Sequence, residues 1–95
     1  MKSVMRIETA NASRYLQQLC KHFAHKVETE FDTRSGTCRF DHSTATLAAQ
    51  ESRLDIEIKA EDDEALTRGQ SVIWSHLKRF AFREDLGEPV WQKDP

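Results

Sequence analysis

The residue types best suited to chemistry are concentrated in the stretch "LCKHFAHK" (Leu19 to Lys26), which holds one cysteine, two histidines and two lysines. Thiolates and imidazoles are the ligands that zinc takes from proteins, and a thiol beside an imidazole can also serve as a nucleophile. On one helix, however, His22 and His25 lie roughly 60° apart, whereas Cys20 lies roughly 160° from His22. The sequence therefore argues against a metal site made of these three side chains alone.

Two cysteines occur in the chain, Cys20 and Cys38, and no CxxC spacing of the kind found in structural zinc sites is present. A reactive thiolate needs a helix N-terminus or a nearby cation. Cys20 lies towards the C-terminal end of its predicted helix, where the dipole disfavours a thiolate. We expect both cysteines to be free, buried thiols with a structural role.

Two interpretations of the histidines stay open. In the first, basic side chains near the C-terminal ends of both helices complement the helix dipoles, an effect of about 0.3–1 kcal/mol each. In the second, His22 on the first helix approaches His76 on the second, with His25 at the rim. The imidazoles of His22, His25 and His76 would then bind zinc or iron, or His22 and His76 would act as acid and base near neutral pH.

A second basic group lies in "HLKRFAFRE" near the end of the second predicted helix. Arg79 and Arg83 are four residues apart, on one flank of that helix, and two guanidinium groups there could clamp a carboxylate or phosphate. The alternative is an ordinary solvated helix end. Together with the histidines and one lysine, these arginines form the predicted ligand-binding set: His22, His25, Lys26, His76, Arg79 and Arg83.

Composition limits the classes of partner. The 95 residues are enough for a single domain, residues 1–95, with one modest core. With 14 Lys and Arg against 16 Asp and Glu, the formal charge is −2, which argues against nucleic-acid binding. No apolar run reaches the roughly 20 residues that a membrane span needs, and the N-terminus lacks the apolar segment of a signal peptide. We expect a cytoplasmic protein that binds neither nucleic acid nor membrane.

Hydrophobic periodicity predicts the elements that must position these residues. One amphipathic helix covers "NASRYLQQLCKHF", with Asn11 as N-cap, and a second covers "EDDEALTRGQSVIWSHLKRFAF", with Asp62 or Asp63 as cap. Alternating segments predict strands in "SVMRIE", "KVETEFD", "TCRFD", "STATLAAQ" and "RLDIEIKA", and "DLGEPVWQ" forms a turn and a short apolar tail. Gly36 is expected to take positive φ in the turn before "TCRFD".

The resulting order, β-α-β-β-β-β-α-β, predicts an α+β fold. Strict alternation in the strands indicates an antiparallel sheet with one solvated face, and the two helices would cover the other face. The fold is therefore a two-layer sandwich of a mostly antiparallel sheet with two helices. Trp74 and Trp91 either form an exposed apolar patch, as in a homodimer contact, or pack beneath the C-terminal tail.

Three features make the chain similar to a known family: "RYL..LC.HF.HK" (Arg14 to Lys26), "HL.RF..RE.L" (His76 to Leu86) and the following Trp91. With these, nearly the whole chain resembles the bacterial family named domain of unknown function 2218. The resemblance implies no established activity. Some members are encoded beside, or fused to, siderophore-interacting flavin reductases, which implies a role near iron acquisition and an iron complex as ligand. The segment 41–48 departs most from the family pattern.

The residues and the resemblance lead to one functional prediction and one alternative. We expect a non-catalytic binding or accessory domain, linked to iron or siderophore metabolism, that takes a small anionic ligand or an iron complex. The chain shows no dinucleotide fingerprint, no paired carboxylates and no nucleophile motif, which argues against an enzyme. The alternative is a small enzyme that uses His22 and His76 as an acid–base pair or a metal site.

Overall fold

The alternating segments and the two amphipathic segments fold into one sheet covered by two helices, as a computed structural model of residues 1–94 describes. The strands are β1 (Lys2–Glu8), β2 (Glu28–Phe31), β3 (Ser35–Arg39), β4 (Ser43–Ala49), β5 (Arg53–Ala60) and β6 (Gln92–Asp94), and the helices are α1 (Ala12–Phe23) and α2 (Asp63–Phe80). The strand order is β2-β3-β4-β5-β1-β6, with every neighbouring pair antiparallel. The predicted α+β class and element order are confirmed.

The two faces of the sheet follow the alternation in the sequence. In β5, the side chains of Leu54, Ile56 and Ile58 are fully buried beneath the helices. Asp55 lies on the opposite face and pairs with Arg53 at 2.8 Å. Since a period of two places alternate residues on opposite faces, this pattern by itself sets which face the helices cover. Neither helix of the described residues is long and apolar enough to cross a membrane.

Each helix buries one stripe against the sheet. The buried residues of α1 are Ala12, Tyr15, Leu16, Leu19, Cys20 and Phe23, as its periodicity predicts. Those of α2 are Leu66, Gly69, Ile73 and Leu77. Asp62 caps α2, because its carboxylate accepts a hydrogen bond from the backbone N–H of Ala65 at 2.8 Å. Asn11 occupies the cap position of α1, but its side chain makes no capping hydrogen bond.

At two glycines the helix and the sheet are too close to accommodate a side chain. Gly36 does not take the positive φ expected of a turn residue; it lies within β3. A Cβ atom at Gly36 would be 2.6 Å from Sγ of Cys20, so α1 needs a residue without a side chain there. Likewise, a Cβ atom at Gly69 of α2 would be 2.6 Å from Oγ of Ser43 and 2.7 Å from Cγ2 of Ile58.

The C-terminal segment closes the free edge of β1. Its last strand, β6, pairs with β1 in the register Lys2↔Asp94, Ser3↔Lys93 and Val4↔Gln92. Trp74 and Trp91 are half-buried and pack against the core. Packing of this kind supports the tail interpretation of these two tryptophans, while a homodimer stays a prediction.

The close contact at Gly69 leads to a stability prediction. Gly69→Ala should lower the free energy of unfolding, because overpacking costs about 1–3 kcal/mol, more than the ~1 kcal/mol that alanine's higher helix propensity contributes. Urea denaturation followed by circular dichroism measures the change. Ser71→Ala, at an exposed position of the same helix, is the matched control and should stay within about 0.5 kcal/mol of the parent. A Gly69→Ala protein as stable as the parent would contradict the close contact.

Candidate functional site

His22 and His76 lie in contact between the two helices. His22 is in the last turn of α1, and His76 lies four residues before the end of α2. Their ring centroids are 4.6 Å apart and the ring planes are inclined by 42°. Phe23 lies against both rings, with centroid distances of 5.2 Å to His22 and 4.9 Å to His76. The approach of His22 and His76 that the second interpretation requires is therefore present.

The backbone of α2 determines which ring nitrogen of His76 carries the proton. Nδ1 of His76 lies 2.7 Å from the carbonyl oxygen of Val72, one turn earlier. Because a carbonyl oxygen only accepts, Nδ1 donates this hydrogen bond and, in the neutral ring, Nε2 keeps its lone pair. His76 is thus held in one orientation, with Nε2 as the acceptor nitrogen of the neutral ring.

His22 has the opposite character, since one of its nitrogens is left without a partner. Nε2 of His22 is inaccessible to solvent and has no hydrogen-bond partner among the described residues. Buried polar atoms of this kind are uncommon in folded proteins. Burial, and then the charges of His76, Lys26, His25 and Arg79, hold the pKa of His22 below its ordinary value. The neutral imidazole is therefore favoured.

The basic side chains around this pair have no acidic partners among the described residues. His25 and Lys26, just after α1, and Arg79, near the end of α2, are exposed. Within residues 1–94, none of the three forms an ion pair with a carboxylate. Three of the six predicted ligand residues, His25, Lys26 and Arg79, thus lie around His22 and His76. These five residues are called the positive group, after the charges of Lys26 and Arg79. Arg83 has a different contact, with its guanidinium carbon 5.3 Å from the ring centroid of Phe82.

The predicted metal site has a shortage of ligands. In the described part of the chain, no group of three His, Cys, Asp or Glu side chains is placed to hold a metal ion. Zinc takes three or four protein ligands, so His22 and His76 would need further donors. Zinc or iron bound by His22, His25 and His76 stays a prediction.

A row of rings connects the histidine pair to His42. Phe23 packs against Phe40 with a centroid distance of 5.0 Å, and Phe40 stacks on His42 at 5.5 Å with the planes only 5° apart. Nδ1 of His42 lies 2.8 Å from Oγ of Ser43. His42 lies in the short loop between β3 and β4. His42 is half-buried, because its ring stacks on Phe40 and lies beside Ser43.

The cysteines are where their pattern predicts. Cys20 and Cys38 are free and buried, and their sulfur atoms are 4.0 Å apart. The hydrogen bond between them, together with burial, raises the pKa of the Cys20 thiol. A protonated, buried thiol is a poor nucleophile. The structure thus confirms two free thiols and gives no support for Cys20 as a catalytic group.

A cluster of hydrogen bonds around one carboxylate, that of Glu84, lies at the opposite end of α1 and was not predicted from the sequence. Glu84, just after α2, accepts hydrogen bonds from Oγ1 of Thr9 at 3.0 Å and from Nδ2 of Asn11 at 3.0 Å. The hydroxyl of Tyr15 donates to the same carboxylate. Asn11 therefore binds Glu84 instead of capping α1. The hydrogen bonds from Tyr15 and then Asn11 hold the pKa of Glu84 below its ordinary value.

The Glu84 cluster attaches the segment after α2 to the start of α1. The motif "RE.L" includes Glu84, so the signal for its importance was present in the sequence. Its partners lie 69–75 residues away along the chain, a separation that no local pattern can bridge. The chemistry of the cluster is that of a satisfied structural carboxylate.

The family described as an uncharacterised protein conserved in bacteria, domain of unknown function 2218, matches residues 4–92. The chain belongs to this family.

The chain is also similar, in sequence and in fold, to a solved structure. The NMR structure of PA4090 from Pseudomonas aeruginosa is 34% identical in sequence to this chain. The match covers 96% of this chain and 94% of PA4090, with a TM-score of 0.80. No curated protein matches the chain. Family membership thus agrees with the fold and the motifs and leaves the function to be argued from the site.

The positive group makes the pKa of His22 a testable quantity. Lys26→Gln or Arg79→Gln should raise the pKa of His22, because each removes a positive charge that disfavours the imidazolium. The measurement is an NMR titration of the imidazole resonances. Lys21→Gln removes an exposed lysine from the same helix that is not among the groups acting on His22, and should leave its pKa unchanged. A larger shift in the Lys21 variant than in the other two would contradict the arrangement.

The Glu84 cluster makes stability depend on pH. Because folding lowers the pKa of Glu84, its contribution is present above its unfolded pKa of about 4.3 and is lost as pH falls through the folded value. Glu84→Gln should reduce the unfolding free energy at pH 7 by about 1–3 kcal/mol and flatten its decline towards pH ~3. Denaturant melts at both pH values test this. Glu88→Gln, in the same segment but exposed, should behave like the parent.

Proposed function

We propose that this protein is a non-catalytic binding or accessory domain that takes a small anionic ligand at the His22–His76 pair. The observation that carries the proposal is the contact of these two imidazoles, 4.6 Å between centroids, beside basic side chains that have no acidic partner among the described residues. The positive charges of Lys26 and Arg79 repel each other and disfavour protonation of His22, and a bound carboxylate or phosphate would reduce this repulsion.

The properties of the individual side chains support an anion as the ligand. Arg79 offers a planar fork of donors suited to a carboxylate or phosphate, and Lys26 offers a mobile positive charge. His22, neutral in the free protein, would carry a positive charge and an N–H on both ring nitrogens after taking a proton, and a bound anion favours that protonation.

The connection with iron rests on the family resemblance. An anionic iron complex presents carboxylate or phenolate oxygens, which the same cations could contact. We therefore include a ferric chelate among the ligands to be tested. Cytoplasmic location and a homodimer are further proposals; exposed Phe82 and Val90, at 74% and 69% accessibility, supply apolar surface for such a contact.

The test is binding to the isolated protein, measured by calorimetry and by NMR shifts of the His22 and His76 resonances. The probes are inorganic phosphate, citrate and ferric citrate, with zinc and ferrous ions as separate titrations. His22→Gln and Arg79→Gln should each weaken anion binding about tenfold or more, the loss expected for one charge-assisted hydrogen bond. Arg68→Gln, an exposed arginine in the first half of α2, is the matched control and should bind like the parent.

The outcomes separate the hypotheses. Saturable anion binding that both site variants weaken supports the proposal. Zinc or ferrous binding that His22→Gln abolishes, with no anion binding, supports the metal-site alternative instead. If none of these probes shifts the His22 or His76 resonances, the site hypothesis is wrong.

One observation favours a second candidate function, a small enzyme with an acid–base pair. The hydrogen bond from Nδ1 of His76 to Val72 fixes the ring and leaves Nε2 as a base, an arrangement also found in catalytic histidines. This candidate predicts turnover of chromogenic ester or phosphodiester probes that His76→Gln abolishes and His25→Gln retains. Absence of turnover in the parent protein would count against it for these substrate classes.

A further inference from the structure

The two cysteines of the chain lie together in the core although they are far apart in sequence. Cys20 is on α1 and Cys38 is on β3, 18 residues later. Both residues are fully buried, and their sulfur atoms are 4.0 Å apart, in hydrogen-bond contact. This contact joins a helix to the sheet and is separate from the His22–His76 site.

The packing around the pair explains why the sulfur atoms are so close. Gly36, two residues before Cys38 on the same face of β3, has no side chain, and Sγ of Cys20 occupies the space that a Cβ atom would need. On the neighbouring strand the residue opposite Cys38 is the small Ala45. The sulfur atoms therefore face each other with no large side chain between them. A disulfide bond of about 2.0 Å requires them to approach by only about 2 Å.

From this geometry we infer that Cys20 and Cys38 form a site of reversible oxidation, at which hydrogen peroxide converts the two thiols into an intramolecular disulfide. In the first step Cys38, whose pKa is lowered by the hydrogen bond from the Cys20 thiol, attacks the peroxide as its thiolate and becomes a sulfenic acid, and one water is released. In the second step the other thiol attacks this sulfur, the S–S bond forms and a second water leaves. Two thiols and one peroxide thus give one disulfide and two waters.

The location of the pair provides a route for the oxidant. Cys38 is one strand away from the edge of the sheet, and the edge strand β2 is only four residues long. Three of these four residues, Glu28, Glu30 and Phe31, are exposed. Short edge elements open locally at a lower free energy than the whole fold. Opening of the β2–β3 hairpin would admit a molecule as small as peroxide.

The disulfide would attach α1 covalently to β3. It would close an 18-residue separation and so restrict the unfolded chain, which raises the melting temperature. His22 is two residues after Cys20, so the last turn of α1 would also lose freedom. This consequence does not depend on whether His22 and His76 bind a ligand.

The experiment treats the folded, reduced protein with hydrogen peroxide and follows it by intact-mass spectrometry and by thiol counting in denaturant. We expect the monomer to lose the mass of two hydrogen atoms and both titratable thiols, and to regain them with dithiothreitol. The oxidised protein should also have a higher melting temperature than the reduced one. Cys20→Ser and Cys38→Ser each lack the second thiol and should gain oxygen or form intermolecular dimers instead.

Several results would overturn the inference. Two thiols still titratable after peroxide treatment, sulfinic acid on the parent protein, or disulfides only between molecules would each show that the pair does not close. A disulfide that lowers the melting temperature would contradict the close native geometry. If a serine variant fails to fold, the mass and thiol count of the parent protein still decide the question. Failure here would leave the anion-binding proposal untouched, because its readout is at the imidazoles.

Discussion

The close packing of both helices on one face of the sheet is the constraint on which the rest of the structure depends. It rests on Gly36 and Gly69, where a Cβ atom would come within 2.6 Å of a side-chain atom of the opposing layer. With each helix held that near the sheet, their C-terminal parts lie side by side. The contact of His22 with His76 and the contact of Cys20 with Cys38 both follow from this packing.

Different interactions act at the two ends of α1: side-chain hydrogen bonds at its start and the helix dipole at its end. At its start, Glu84 from the end of the chain receives three side-chain donors, among them Tyr15, and is fully satisfied. At its end, basic residues gather, as the helix dipole favours, and His22 keeps a nitrogen without a partner. The Glu84 cluster is a structural contact, because its carboxylate has three donors. The proposal of a ligand site concerns the other end of the helix, where a nitrogen of His22 has no partner. The same cations that complement the dipole also create the surplus of positive charge that an anion would neutralise.

The family has no established activity, so the function of this protein has to be inferred from the geometry of its side chains. The motifs that carry the resemblance, around His22 and His76, are the segments that meet in space. Glu84 belongs to the same motif as His76 and has a structural role instead. A motif residue is thus not by itself a site residue, and the contacts decide which role each one has.

The sequence by itself determined the class of fold, the element order, the buried stripes of the helices and the cap at Asp62. These properties are local: a period of two or 3.6 and a capping side chain are set by residues a few positions apart. The role of Gly36, the half-burial of His42 and the partners of Glu84 were decided only by the tertiary structure. The approach of His22 to His76 could be stated as a hypothesis but not measured. Residues so far apart in the chain come together only through the spacing of helices on the sheet, which depends on the side chains of both layers at once.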